Sequence, residues 1–237
     1  MSQAQQNGRS ATSQVLEWIK SLAIALAIFL VLRTFLIEAF RIPSGSMENT
    51  LLVGDFLFVN KALYGAEIPF TGAHLPAFRE PERSDLVIFR SVEDEGLTVV
   101  KRVIGMPGDT LAMEDNQLIR NGVIQDEPYV VHRDPLTDPE EPKMRAWQVR
   151  YLVGDRNPGT YRPTLKNWGP IVVPPDSFFV MGDNRDRSYD SRYWGFLARD
   201  RIRGRPLIVY YSYDKNGVLP LPFLTSIRWG RLLATPD

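Results

Sequence analysis

No cysteine occurs anywhere in the 237 residues, so disulfides, thiol nucleophiles and thiolate metal sites are all excluded. Only two histidines, His74 and His132, can supply imidazole, which leaves no room for a multi-histidine metal centre. An excess of one charge is missing too. With 28 basic and 28 acidic residues the formal net charge is zero, and no global field draws the chain to nucleic acid. Long apolar runs are absent except for one near the N-terminus. What is present, 44% hydrophobic and 24% charged residues, suits one well-buried core with a small second lobe. Hydrolytic chemistry here must draw on hydroxyls, amines and carboxylates.

Residues 1–14, MSQAQQNGRSATSQ, are polar without apolar periodicity and are expected to form a disordered tail. From 15 to 40 the chain is apolar, with charges only at Glu17, Lys20, Arg33 and Glu38 and an uninterrupted core at 21–32. That core reaches the roughly 20 residues of a bilayer span when Lys20 and Arg33 lie at the two interfaces, with Trp18 as an anchor. We assign one transmembrane helix to 15–37. No small-residue cleavage pattern follows the run, which separates it from a removable signal sequence. Charge leaves its orientation open, because Arg9 and Lys20 before the span balance Arg33 and Arg41 after it.

Beyond the span, short strand-like runs recur between turn signals at 55–61, 85–90, 98–104, 117–124, 178–181 and 206–213. The spacing predicts a mainly β domain over 38–237, built on an antiparallel sheet. The stretches 65–83 and 127–175 are too long for hairpin connections. The second carries Trp147, Tyr151, Tyr161 and Trp168, and a smaller inserted β lobe is expected at 126–175.

Three stretches could carry chemistry. In Ile42-Pro43-Ser44-Gly45-Ser46-Met47, Pro43 fixes its own backbone and biases Ile42 toward an extended form, while Gly45 lets a bound peptide approach. The turn can present two hydroxyls. In TVVKRVIGMPGD, strand alternation puts Lys101 on the same face as Val99 and Val103. A lysine on an apolar face loses solvation as an ammonium; lowering its pKa to near 8 takes roughly 3 kcal/mol, after which the neutral amine can act as a base. An edge-strand lysine pointing into water is the competing reading. The third stretch, GDNRDRSYDSRYWG, is dense in hydrogen-bonding groups and reads as a rigid support. Asp183, Asn184, Asp186 and Asp190 could also donate oxygens to calcium, but the EF-hand glycine and terminal glutamate are missing. Neither histidine has a distinctive neighbour.

In this order, PSGSM with TLLVGDF, then KRVIGMPGD, then GDNRDRSYDSRYWG, together with the 84–89 strand, the chain closely resembles the bacterial type I signal peptidases. The similarity spans nearly all of 37–213, leaving out the tail, the 127–175 insert and the last twenty residues. It implies a membrane-bound serine endopeptidase with Ser46 as nucleophile and Lys101 as general base. The Ser46 N–H and the Ser44 hydroxyl are implied as the oxyanion hole, Ser188 as the group orienting the amine, and Asp190 with Arg192 as a supporting pair. Phe40, Ile42, Met47, Leu51, Val99 and Val100 match the shallow pockets for small residues at the first and third positions before the cut; core packing is their alternative role. One departure stands out: Glu48-Asn49-Thr50 where the family usually has a proline.

The resemblance also implies preproteins and membrane lipids as partners, no nucleic acid, no cofactor and no metal, and a monomer. It implies a bacterial plasma membrane location, or a thylakoid one, with the N-terminus cytoplasmic and the catalytic domain outside. Two other readings remain. A Ser-Lys self-cleaving repressor-type protease would need a DNA-binding helix-turn-helix where the span stands. A membrane-anchored binding domain would make Ser46 and Lys101 merely structural.

Overall fold

The computed structural model describes residues 11–69, 71–133 and 138–236. Helix α1 covers Ala11–Val31 and runs into a π-type turn at Leu32–Leu36. Together they give a helical rod, Thr12–Leu36, of 25 residues that is long and apolar enough to cross a membrane. At 1.5 Å per residue it is roughly 37 Å long, more than the hydrocarbon thickness of a bilayer. Its apolar side chains are mostly exposed; Trp18, Leu22 and Phe29 are all more than half exposed. Helix α1 begins four residues before the expected 15, because Ala11–Gln14 continue the helical turn; the rest of the expected tail lies outside the described residues.

Among the described residues eleven strands follow: β1 (Ile37–Arg41), β2 (Asp55–Asn60), β3 (Leu86–Arg90), β4 (Thr98–Gly105), β5 (Thr110–Glu114), β6 (Gln117–Arg120), β7 (Val123–Ile124), β8 (Trp168–Val172), β9 (Ser177–Met181), β10 (Leu197–Ala198) and β11 (Ile202–Ser212). The main sheet has the order β1-β2-β11-β3-β4-β9-β10, and its pairs are antiparallel. The chain is mainly β, as the run spacing predicts. Strand β2, DFLFVN, alternates buried and half-buried residues as a one-sided strand should, whereas β3, LVIFR, is apolar on both faces and sits inside the sheet.

Two apolar clusters cover the faces. One joins Ile42, Met47 and Leu51 to Leu57, Leu86 and Val100; the other joins Val87, Phe89 and Val103 to Phe178, Val180 and Ile202. Each such fully buried side chain contributes roughly 1.5–3 kcal/mol.

The smaller sheet has the order β7-β6-β5-β8. Three of its strands come from 110–124, and the 126–175 stretch supplies only β8 together with helix α2 (Pro142–Gln148). Aromatic residues of the insert pack into the apolar cluster under this smaller sheet: Trp168 and the half-buried Trp147 meet Phe179 of β9 there. Gly105 allows this junction, since a Cβ there would lie 2.5 Å from Leu111 Cδ1.

Candidate active site

Ser46 is carried on an excursion between β1 and β2 that is closed at its base. Ile42 N–H donates to the Asp55 carbonyl at 2.9 Å, and Gly54 N–H donates to the Ile42 carbonyl at 3.1 Å. Within it Gly45–Met47 forms one 3-10 turn, and Leu51 N–H donates to the Met47 carbonyl at 2.8 Å. Met47 and Leu51 are fully buried and anchor this turn in the core. Asn49, in the stretch where the proline is missing, has a φ of 94°, a region that asparagine tolerates better than most residues. Space beside Gly45 is open: a Cβ there would meet nothing nearer than Glu48 Oε2 at 3.7 Å.

Lys101 comes from β4, opposite Val87 of β3, and is only 4% exposed. The competing picture of a lysine pointing into water is therefore overturned. Its Nζ lies 2.7 Å from Ser46 Oγ, a hydrogen bond between residues 55 apart in sequence. Burial pushes the amine down from 10.5 to about 8; Asp190 and Asp183 oppose this, and Arg192 adds to it. At neutral pH a useful fraction of the amine is thus unprotonated and can accept the serine proton.

The loop after β9 closes the site from the other side. Asn184 N–H donates to the Ser46 carbonyl at 3.1 Å, and Asn184 Nδ2 donates to the Gly45 carbonyl at 3.3 Å. Gly182 is required here. A Cβ on it would fall 2.3 Å from Ser188 Oγ and 2.4 Å from the Ser46 carbonyl oxygen. Ser188 thus lies beside Ser46, with its hydroxyl buried and, among the described residues, without a hydrogen-bond partner. No hydrogen bond joins it to Lys101, whose Nζ is directed at Ser46 instead.

Asp190 caps helix α3 (Ser191–Trp194) and takes the Arg192 guanidinium in a fork, at 2.9 Å to each oxygen. Burial acts to raise the Asp190 pKa, but Arg192, Lys101 and the Gly182 N–H hold it below its ordinary value. The arginine also binds the Ser188 carbonyl at 3.3 Å. Ser44 is exposed at the start of the turn, in extended conformation. Of the six pocket candidates, Ile42, Met47, Leu51 and Val100 are buried within one core cluster, while Phe40 and Val99 are half-buried. A cavity of about 170 Å³ opens beside Phe40 and Thr98.

The histidines lie elsewhere. His74 Nδ1 faces the Gly65 carbonyl at 3.0 Å, and His132 Nδ1 faces Asp186 Oδ1 at 3.1 Å.

One supporting group went unread in the sequence. Arg102, next to Lys101, forks onto Asp183 at 2.9 and 2.7 Å, binds Thr50 Oγ1 at 3.1 Å, and lies 3.9 Å from the centre of the Tyr129 ring. It ties β4, the turn that carries Ser46 and the 182–184 loop together. The argument that singles out Lys101, a charge inside an apolar strand, applies equally to its neighbour.

The family model described as "Signal peptidase, peptidase S26" matches residues 15–211. The chain belongs to this family. Among curated relatives, the peptidase is 35% identical over 222 residues to a signal peptidase I of Pseudomonas aeruginosa, covering 88% of this chain and 76% of that one. It is 32% identical to a signal peptidase I of Leptolyngbya laminosa, covering 90% and 87%. It is also similar to a signal peptidase I crystal structure from Enterococcus faecalis, 32% identical, covering 54% of this chain and 98% of that one with a TM-score of 0.36.

Proposed function

We propose that this peptidase removes N-terminal signal peptides from exported preproteins, with Ser46 as nucleophile and Lys101 as general base. The observation that carries the reading is the 2.7 Å contact between Ser46 Oγ and a buried amine whose pKa is lowered to about 8. In the protonated state the amine donates to the hydroxyl; once neutral, it accepts the hydroxyl proton as Oγ attacks the scissile carbonyl. The Ser46 N–H and the exposed Ser44 hydroxyl stabilise the tetrahedral oxyanion. Lys101 then returns the proton to the leaving amine, and a water repeats the cycle on the acyl-enzyme. In the acyl-enzyme Ser46 Oγ is esterified, and the unpartnered Ser188 hydroxyl is assigned to orienting the amine at that stage.

The substrate fits as an added strand. Strand β9 pairs with β4 only from Arg102 onward, so among the described residues Thr98–Lys101 keeps an unpaired edge running up to Ser46. An extended preprotein segment on that edge gains backbone hydrogen bonds whatever its sequence, and side-chain fit then selects the cut. Phe40 and Val99, the two candidates with surface to spare, are assigned to contact the residues at positions −1 and −3, which the family resemblance implies are small. Ile42, Met47, Leu51 and Val100 back Phe40 from the core, while Val99 rests on the other cluster beside Val87 and Val103.

The layout that goes with this is a span at 15–37, a cytoplasmic N-terminus, and a catalytic domain from residue 38 outside a bacterial plasma membrane or in the thylakoid lumen. Ser46 follows the span by about ten residues, at most roughly 35 Å of extended chain. The cut would therefore be made at the membrane surface.

The test is incubation of the full chain in detergent with a preprotein, with the cut mapped by mass spectrometry. A single cut after small residues at −3 and −1, lost in Ser46→Ala, is expected. No cut in any preprotein, or an active Ser46→Ala variant, would refute the assignment.

A further inference from the structure

A buried polar network behind the nucleophile turn has no task in the mechanism above. Asp55, which opens β2, and Ser212, which ends β11, are completely buried. The Asp55 carboxylate accepts from Leu52 N–H at 2.8 Å, from Ser212 Oγ at 2.7 Å and from Arg231 Nε at 3.0 Å. A terminal nitrogen of the same guanidinium also donates to the Thr50 carbonyl at 2.9 Å. Arg228 adds a bond from its side chain to the Val53 carbonyl at 2.9 Å.

The segment that supplies both arginines is itself held by backbone bonds. Val209 N–H donates to the Ala234 carbonyl at 2.9 Å, and Leu233 N–H donates to the Val209 carbonyl at 2.8 Å. Residues 228–234 therefore lie as a strap across β11 and grip the 50–53 stretch.

Thr50, four residues after Ser46, is consequently clamped at both ends. Its carbonyl is held by Arg231, and its hydroxyl contacts Arg102 and donates to Asp183 Oδ2 at 2.5 Å. The backbone bonds of the turn, such as Thr50 N–H to the Met47 carbonyl at 3.1 Å, pass this constraint toward the serine. The bond from Arg231 to the Thr50 carbonyl ties the strap to the turn that carries Ser46, and a reacting atom misplaced by about 1 Å can cost on the order of a hundredfold in rate.

We propose that Arg231 is a positioning residue for Ser46, acting through the Thr50 carbonyl and Asp55, and that the C-terminal strap is part of the active-site scaffold. This rests on the reading of Ser46 as nucleophile.

The experiment compares the full-length parent, Arg231→Ala, Arg231→Lys and Ser46→Ala in detergent on one preprotein, with the folded fraction measured by near-ultraviolet circular dichroism. For Arg231→Ala, kcat per folded molecule should fall roughly a hundredfold while KM stays within about twofold and the pH midpoint does not move. Millimolar methylguanidinium should restore part of the rate. Arg231→Lys, which keeps the charge but cannot fork between Asp55 and Thr50, should fall between the two. If the alanine variant does not fold, the lysine variant decides alone. An unchanged kcat per folded molecule, or a loss that merely follows the folded fraction, overturns the proposal. An uncleaved preprotein with the parent enzyme, or an active Ser46→Ala, would strike the peptidase reading first.

Discussion

Lys101 and Arg102 are consecutive on β4, both almost fully buried, and they differ in what meets them. Arg102 finds a forked carboxylate in Asp183, the Ser84 carbonyl at 2.9 Å, a threonine hydroxyl and an aromatic face. Every feature there favours a cation. Lys101, pointing the other way, has a hydroxyl at 2.7 Å, and the nearby carboxylate of Asp190 is engaged by Arg192. Two positive groups on one strand thus have separate tasks: one stays charged and joins three segments, the other is made easy to deprotonate. Burial pushes the Lys101 amine down and Asp190 and Asp183 oppose it only in part, whereas Arg102 has a carboxylate of its own in a direct fork.

The strongest way to break the comparison is to give the base position the residue next to it. A guanidinium cannot lose its proton at accessible pH, so Lys101→Arg should lower the cleavage rate by about a thousandfold or more with the fold retained. An arginine variant with a tenth of parental activity would show that the amine is not the base.

On the other face, Asp183→Asn removes the carboxylate facing Arg102 and leaves a buried cation short of its counter-charge. Loss of about 3–5 kcal/mol in urea unfolding is expected, with activity falling as the turn loosens. A loss under about 1 kcal/mol would mean that the pair is not what joins these segments.

The reverse sign is expected for Lys101→Met. The folded-state pKa, about 8, lies below the free value of 10.5, so the unfolded chain binds more protons between these values. Stability should therefore rise with pH from about 8 to 10.5, and the full penalty applies below 8. Removing the amine should stabilise the inactive protein by about 3 kcal/mol at pH 7, with the gain fading from about pH 8 and gone above 10.5. Destabilisation by Lys101→Met at pH 7 would show that the ammonium is well accommodated.

How much of this could be read from the chain depends on where the information sits. Strands with dense β-forming residues and clear turn signals, β2, β3, β4 and β9, lie within one residue of where they are expected. Strand β1 escaped notice because its apolar residues continue the run of the span, and β5, with Ala112, Met113 and Glu114, is built from residues that favour helix. Strand β8 contains Gly169 and Pro170 and owes its state to pairing with β5. The 117–124 stretch is two strands, divided at Asn121-Gly122, a hairpin signal that was present but unread. Likewise β11 starts four residues early and passes Pro206 at a shift in its pairing register.

At the site, residue types drew attention to a turn with two hydroxyls and to a lysine on an apolar face; the choice of Ser46 and its pairing with Lys101 came from the family resemblance. Nothing in the order of residues tells that Arg231 meets Thr50 across 181 positions, since only the pairing of β11 with β2 brings the strap against the turn that carries Ser46.

The central claim is that a buried amine next to Ser46 works as a base because its surroundings favour the neutral form. The most direct measurement is the single-turnover rate of acyl-enzyme formation from pH 6 to pH 10. The account predicts a rise with one apparent midpoint near 8, absent in Lys101→Arg. A rate that is flat over this range, or a midpoint at the free-lysine value of 10.5, would contradict it.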